Sequence, residues 1–317
     1  MQGHAMSINQ LWVEKYRPNT IDGYVFTDPD TKELVEHWIQ AGNFPHILLH
    51  GPSGTGKTTL AKILINNVDV EDTDVLYVNG SKEGRKIDWL RERLEGFCQT
   101  MPFGPFKVVL IDEADYLNKD SVQPAMRNLM EDFSDSVRFI LTCNFPNRII
   151  GPLKSRCHDI RIDRTDITEF TARGATVLFN ENVEFEIDVL DSYVRATYPD
   201  LRKCLNLLQA NSVTGKLLDA AERSSENGRD FRVEAVNLFK AKRYRQARQL
   251  LCNEVRPEEM EELFRWAYDN LDLWSSTPEG QDEAILIIRR GLVNHASCGD
   301  AEINLSATLV ELSTIGT

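Results

Sequence analysis

The sequence is poor in the features that mark several large protein classes. It holds six cysteines, at 98, 143, 157, 204, 252 and 298, and no CxxC pair; its six histidines form no HExxH. A disulfide scaffold and a structural zinc site are therefore excluded, and the thiols read as scattered buried groups of a reducing compartment. Long apolar runs are missing too. Val108-Val109-Leu110-Ile111 is typical of those present and stops far short of the roughly 18 residues a membrane span needs. No apolar h-region follows the N-terminus, so no signal peptide is expected, and Met1–Ala5 read as non-native extra residues ahead of a native start at Met6. Basic residues are outnumbered, 36 Lys and Arg against 49 Asp and Glu, for a net charge of −13. That balance argues against a protein that coats nucleic acid over its whole surface but leaves room for a local basic track. Internal repeats and low-complexity tracts are also lacking.

What is present is ordinary globular material. Hydrophobic residues make up 42% and charged residues 27% of 317 positions, enough for two or three domains with real cores. The first half alternates short β-branched runs with helical patterns, the signature of a parallel α/β sheet. Strands are expected at His46–His50, Val75–Val78, Lys107–Ile111, Val137–Thr142 and Asp159–Ile162, with helices at Thr31–Gln40, Lys57–Asn67, Ile87–Gln99 and Lys119–Asp132. The strands are almost wholly apolar, as in a sheet covered on both faces. Beyond Ile162 helical periodicity takes over: Ile167–Phe179, Ile187–Tyr198 and Leu201–Ala210, then Phe231–Ala241, Arg243–Asn253, Glu258–Asn270 and Glu283–His295. The polar stretch Ser224–Gly228 reads as a linker. The expected domains are thus 6–163 (α/β, nucleotide-binding), 164–224 (a small helical lid) and 225–317 (a helical bundle).

Gly51-Pro52-Ser53-Gly54-Thr55-Gly56-Lys57-Thr58 matches GxxxxGK[ST] and lies between an expected strand and an expected helix that runs on through Thr59, which is the context the motif requires. Its glycines let backbone N–H groups curl round phosphate oxygens, and the helix N-terminus adds partial positive charge. Lys57 is placed to reach the β and γ phosphates of ATP and Thr58 to ligate Mg²⁺. Asp112 follows the apolar strand Val108–Ile111, at the end where open α/β sheets bind ligands. Asp112 suits the Mg²⁺ shell and Glu113 the polarisation of an attacking water. Asp115 reads as a cap on the following turn. Together these motifs indicate nucleoside triphosphate hydrolysis.

Glu14-Lys15-Tyr16-Arg17-Pro18, the phosphate loop, Asp112-Glu113-Ala114-Asp115 and Ser155-Arg156-Cys157 occur here in the order seen in sliding-clamp loader subunits. The chain resembles these AAA+ ATPases of the replication factor C type, and its length looks most like the multi-copy ATPase subunit of a tailed-phage loader. The resemblance implies a five-stranded AAA+ domain, a lid and an all-α collar that holds a ring or spiral, a pentamer, of subunits. It also implies a sliding clamp and primer–template DNA as partners, no membrane association, and a cytoplasmic location (the host's, for a phage protein). By the same resemblance Asn144 matches the first sensor and Arg202 the second, the latter on a helix that also has Asp200 and Asn206 in place. The ordinary readings of these two are a strand-end turn residue and a solvated helix charge. Arg156 matches the arginine that projects into a neighbour's ATP site; the alternative, an ordinary surface base flanked by Lys154 and His158, is opposed by the full Ser-Arg-Cys triplet. Gln123 and Arg127, four apart, share a helix face and match positions that couple DNA contact to catalysis; Pro124 fits only in the helix's first turn.

Lys86, Arg85 and Ser81 are the expected DNA contacts, on a basic turn after Asn79-Gly80 that matches where such subunits touch the template backbone; a solvated, charge-compensated helix is the bland alternative. Tyr16, Arg17 and Pro18 are expected near the adenine. Phe103-Gly104-Pro105-Phe106 presents two aromatics that suit either a clamp contact or packing on the domain's own rim. Trp266 and Trp274 read as core. A branch-migration or initiator AAA+ motor would need a winged-helix domain after the lid, and the last 85 or so residues lack the strand pair of a wing.

Overall fold

A computed structural model describes residues 10–83, 87–219, 231–256, 259–295 and 297–315. The chain divides into two compact units, residues 14–166 and residues 167–317 with the N-terminal segment through Val13.

The first unit is built on strands β1 (Ile47–His50), β2 (Val75–Asn79), β3 (Lys107–Asp112), β4 (Val137–Cys143) and β5 (His158–Arg161). They pair in parallel in the order β2-β3-β4-β1-β5. Side-chain alternation sends Leu48, Val109, Ile111, Phe139 and Leu141 to one face, where they pack with residues of helices α5 (Ile87–Gln99) and α6 (Val122–Asp132). It sends Ile47, Leu49, Val108, Leu110 and Ile140 to the other, against α2 (Pro29–Ala41) and α3 (Lys57–Asn66). Two apolar faces are why the strands read as continuous runs rather than alternating ones. A short helix α1 (Trp12–Lys15) runs across the first residues of this unit, a single turn α4 (Gly80–Glu83) follows β2, and α7 (Gly151–Lys154) leads into β5.

Helix α6 begins three residues later than its periodicity suggests. Asn118 Oδ1 accepts from the backbone N–H of Asp120 and Ser121 and from the Ser121 hydroxyl, and this local turn competes with helix. Pro124 consequently falls at the third helical position, in the first turn, where its missing N–H costs nothing. The Phe103–Phe106 strip is also not uniform. Phe103 is 84% exposed while Phe106 is buried at 3%, edge-on to Phe44. Only the first aromatic is a surface group.

The second unit is helical throughout its described residues apart from one isolated bridge, Glu184 to Lys216. It comprises α8 (Ile167–Asn180), α9 (Ile187–Thr197), α10 (Leu201–Ala210), α11 (Phe231–Lys240), α12 (Tyr244–Glu254), α13 (Met260–Asp269), α14 (Pro278–His295) and α15 (Ala301–Ser313). Helix α14 starts at Pro278, five residues ahead of the periodic signal, because proline suits a first helical position. The stretch Ser224–Gly228 lies outside the described residues. Trp266 and Trp274 are buried against Phe239, and their indole N–H groups donate to the carbonyls of Arg195 and Ala267. Asp191 of α9 accepts from Arg195 at 2.7 Å and pairs with Lys240 of α11 at 2.6 Å. These contacts bind the residues of the expected lid to those of the expected collar.

Candidate nucleotide site

The loop between β1 and α3 has the backbone its glycines permit. Gly54 and Gly56 hold φ of 75° and 92°, and Gly51 sits at φ 149° with its Cα against the Ile162 carbonyl, where a Cβ would lie 2.1 Å from the oxygen. No L-residue fits there. Tyr24, which sequence reasoning passed over, is buried under the loop: its hydroxyl donates to the Thr55 carbonyl, and its ring lies where a Cβ on Gly56 would need to go. Burial raises the Tyr24 phenol well above its ordinary range, so it stays a neutral donor. Lys57 is buried, and its ammonium donates to the carbonyls of Gly51 and Pro52 at 2.9 and 2.6 Å. The loop thus carries its cation inward, with the N-terminus of α3 behind it.

Across from the loop stand the acids. The Thr58 hydroxyl donates to Asp112 Oδ1 at 2.7 Å. The same carboxylate oxygen accepts from the Thr142 hydroxyl at 2.5 Å, and Thr142 Oγ1 in turn accepts from the Glu113 N–H at 3.1 Å. Thr142 is 1% exposed on β4 and therefore sets the orientation of two neighbouring acids with a single hydroxyl. No motif announces it. Glu113 holds φ 57°, ψ 45°, a left-handed backbone that a non-glycine residue adopts only under constraint. Part of that constraint is Gly80, where a Cβ would stand 2.3 Å from the Glu113 carbonyl oxygen. The oxygen pair of Thr58 and Asp112 is a hard-donor set of the kind Mg²⁺ takes through one or two protein ligands, so the residues present fit that ion.

Asp115 does not cap the turn that follows it. Its buried Oδ2 instead accepts from the backbone N–H groups of Asn144 and Phe145, at 3.3 and 3.1 Å. The carboxylate reaches across to the end of β4 because that loop has N–H groups with no strand partner. Asn144 is thereby fixed through its backbone, and its half-buried carboxamide has no hydrogen-bond partner among the described residues.

Gln123 is completely buried and fully bonded. Its Nε2 donates to the carbonyls of Leu117 and Arg148, at 3.1 and 3.0 Å, and its Oε1 accepts from the Ile150 N–H at 2.8 Å. It ties the segment after the acids to the segment after Asn144 and to the entrance of α7. Arg127 turns away from it: partly exposed, it bonds Asn128 Oδ1, so the two do not act as a pair on one face. Arg156 follows α7, with Nη1 donating to the Pro152 carbonyl at 2.5 Å and Nη2 paired with Glu131. Burial and the nearby Asp159 push the Cys157 thiol up to about 12, which makes it packing, not a nucleophile. Arg17 pairs with Glu14 at 2.8 Å, and Tyr16 carries the Lys15 ammonium over its ring at 5.4 Å. Ser81 donates to Asn79 Oδ1, and Arg85 and Lys86 lie outside the described residues. Arg202 is exposed in the first turn of α10, whose N-cap is Asp200 bonded to the Lys203 N–H; it belongs to the helical unit.

Residues 47–164, from the start of β1 to just past β5, match the ATPase family associated with various cellular activities (AAA). Over 319 residues the chain is 33% identical to replication factor C small subunit 1 of Pyrobaculum islandicum, covering 96% of this chain and 95% of that one. This chain belongs to the replication factor C small subunit family. It is 39% identical over 214 residues to replication factor C small subunit 1 of Pyrobaculum aerophilum, a match that spans 66% of this chain and 64% of the relative. Against the small subunit of Aeropyrum pernix it is 40% identical over 224 residues, 68% of this chain and 67% of that. Among solved structures, the Thermotoga maritima RuvB Holliday junction branch migration motor superposes with a TM-score of 0.52 at 20% identity, over 70% of this chain and 74% of that one. The likeness to RuvB is one of fold. The AAA domain makes this family member a nucleotide-binding ATP hydrolase.

Proposed function

We propose that the chain is an ATPase subunit of a sliding-clamp loader in DNA replication. In this reading it assembles with companion subunits into a ring or spiral, a pentamer, that holds an open clamp, and primer–template DNA triggers hydrolysis and release. The observation that carries the proposal is division of labour within the first unit. Lys57, Thr58, Asp112 and Glu113 gather at one end of the sheet, while among the described residues Arg156 bonds Pro152 and Glu131 alone. A guanidinium so placed has N–H groups to spare for a neighbouring copy.

The geometry supports the following division of roles. Backbone N–H groups of the Gly51–Thr59 segment, in which Pro52 shapes the loop without donating, surround the ATP phosphates, and Lys57 leaves the loop carbonyls for the β and γ phosphate oxygens. Mg²⁺, held by Thr58 and Asp112, supplies positive charge when bound. Glu113 polarises the attacking water, and the unpartnered Asn144 amide orients it. Arg202 keeps the second-sensor role that the family resemblance implies, and Tyr16, Arg17 and Pro18 line the adenine. Arg156 of the adjacent subunit stabilises the transferring phosphoryl group, a contribution of about 10³–10⁵ in rate for such fingers. Gln123 transmits between these parts, since its bonds join the loops behind Glu113, Asn144 and α7; Arg127 faces outward as a second basic contact. Ser81, Arg85 and Lys86 meet the template backbone without reading bases. Phe103, with the 86% exposed Met101 beside it, is the clamp contact. In its specific form the reading makes this the multi-copy subunit of a tailed-phage loader, working in the host cytoplasm; no helix among the described residues is long and apolar enough to cross a membrane.

The RuvB-like fold raises a branch-migration motor as the second reading. Against it, the described residues from Phe231 onward form helices only, with no wing. The deciding experiment is complementation. Arg156→Ala should bind nucleotide yet fail to turn over in the assembly, and mixing it with a Glu113→Gln chain should restore part of the activity. Turnover by Arg156→Ala alone at the full rate, or no recovery on mixing, rules the reading out.

A further inference from the structure

Helix α6 ends beside the segment that carries Arg156, and one residue there has no part in the nucleotide site. Glu131, the penultimate residue of α6, pairs with Arg156 Nη2, while Arg156 Nη1 donates to the Pro152 carbonyl. The two supports are rigid. Met126 and Met130 anchor α6 in the sheet's core at 0% and 1% exposure, and Leu153 anchors α7 at 0%. Because the guanidinium is planar with five donors in a fixed fork, holding both terminal nitrogens fixes the plane. Among the described residues the remaining N–H groups, including Nε–H, have no partner and are left for an incoming anion. The side chain is only 30% exposed, so its rotamer is chosen before any partner arrives.

We infer that Glu131 is a positioning residue for Arg156: it pre-orders the guanidinium for the neighbouring subunit's γ-phosphate. This rests on the reading of Arg156 as an interface arginine. A free arginine must give up several rotatable bonds when it engages. One already clamped engages with that cost met in folding, the advantage of preorganised charge.

The test is a double-mutant cycle in the reconstituted assembly with clamp and primed DNA. Glu131→Ala should lower kcat about tenfold, less than the roughly 10²-fold of a full 1 Å misplacement because Pro152 still holds Nη1, with KM for ATP and nucleotide affinity of the lone chain unchanged. Glu131→Gln, which keeps the length and an acceptor oxygen, should stay within about threefold of wild type. In an Arg156→Ala background, read by single-turnover assay on the residual rate left without the finger, Glu131→Ala should cost nothing further. Equal losses in both backgrounds would make Glu131 a structural residue and overturn the inference, as would an unchanged or raised kcat. If Arg156→Ala itself turned over normally, the interface-arginine reading would fall first, and that result is visible before Glu131 is touched.

Discussion

Replacing Thr142 with valine tests the site at its least conspicuous point. The substitution keeps the shape of the side chain and removes one hydroxyl at a position 1% exposed on β4. Two bonds go with it, the one to Asp112 Oδ1 at 2.5 Å and the one from the Glu113 N–H at 3.1 Å. A hydrogen bond to a charged group contributes about 1.5–3 kcal/mol, and an orphaned buried N–H costs about 1–3 kcal/mol. Part of this will be relieved by movement of Asp112 and Glu113, and that movement is what matters for turnover. Displacing a reacting group by about 1 Å typically costs on the order of 10²-fold in rate. We therefore expect Thr142→Val to lower kcat of the assembled ATPase about a hundredfold, while a fluorescent ATP analogue still binds through the phosphate loop. Thr142→Ser keeps the hydroxyl and should retain most of the rate, at a stability cost of about 1 kcal/mol for the lost methyl. Steady-state ATP hydrolysis and analogue titration on the same preparations settle it. Wild-type kcat in the valine variant, or equal damage in the serine variant, refutes the argument.

The two aromatics of the Phe103–Phe106 strip should part company: Phe106→Ala, at a buried site, should destabilise by about 3–5 kcal/mol, whereas Phe103→Ala should stay within about 0.5 kcal/mol and weaken only clamp binding, as read by thermal melts and by affinity for the clamp. Acid should act on the helical unit through Asp191. Burial pushes that carboxyl up, but Lys240 and Arg195 more than offset it and hold it below its ordinary value. Its contribution is therefore complete at neutral pH and is lost as pH falls below about 4. The stability difference between wild type and Asp191→Asn should shrink over that window in denaturant titrations, and a constant difference would contradict the assignment.

The parts of this molecule that sequence made legible are those written in local patterns. Helix α5 runs from Ile87 to Gln99 as periodicity alone indicates, and β1 to β5 fall within a residue or so of their apolar runs, because each run must fill a face of the sheet. The phosphate loop is legible for the same reason: its glycines answer a local backbone demand. Asp115, Tyr24, Thr142 and Glu131 were not legible, since each acts on a partner tens of residues away. Asp115 reaches Asn144 and Phe145, Tyr24 reaches Thr55, and Glu131 reaches Arg156. A carboxylate after a strand looks the same in a string of letters whether it caps its own turn or pins a neighbouring strand's end. Phe103 and Phe106 differ only because a strand begins at Lys107 and draws the nearer ring into the core.

The bonding of Gln123 sets a limit on how this chain can drift. The side chain must give two protons to carbonyls and receive one from an amide, in a place no water reaches. Glutamate would turn a second oxygen toward those carbonyls, leucine would strand all three groups, and asparagine is one methylene too short to span them. Variation here should be nearly absent across descendants of this sequence, while the exposed Asn128 of the same helix remains free to wander.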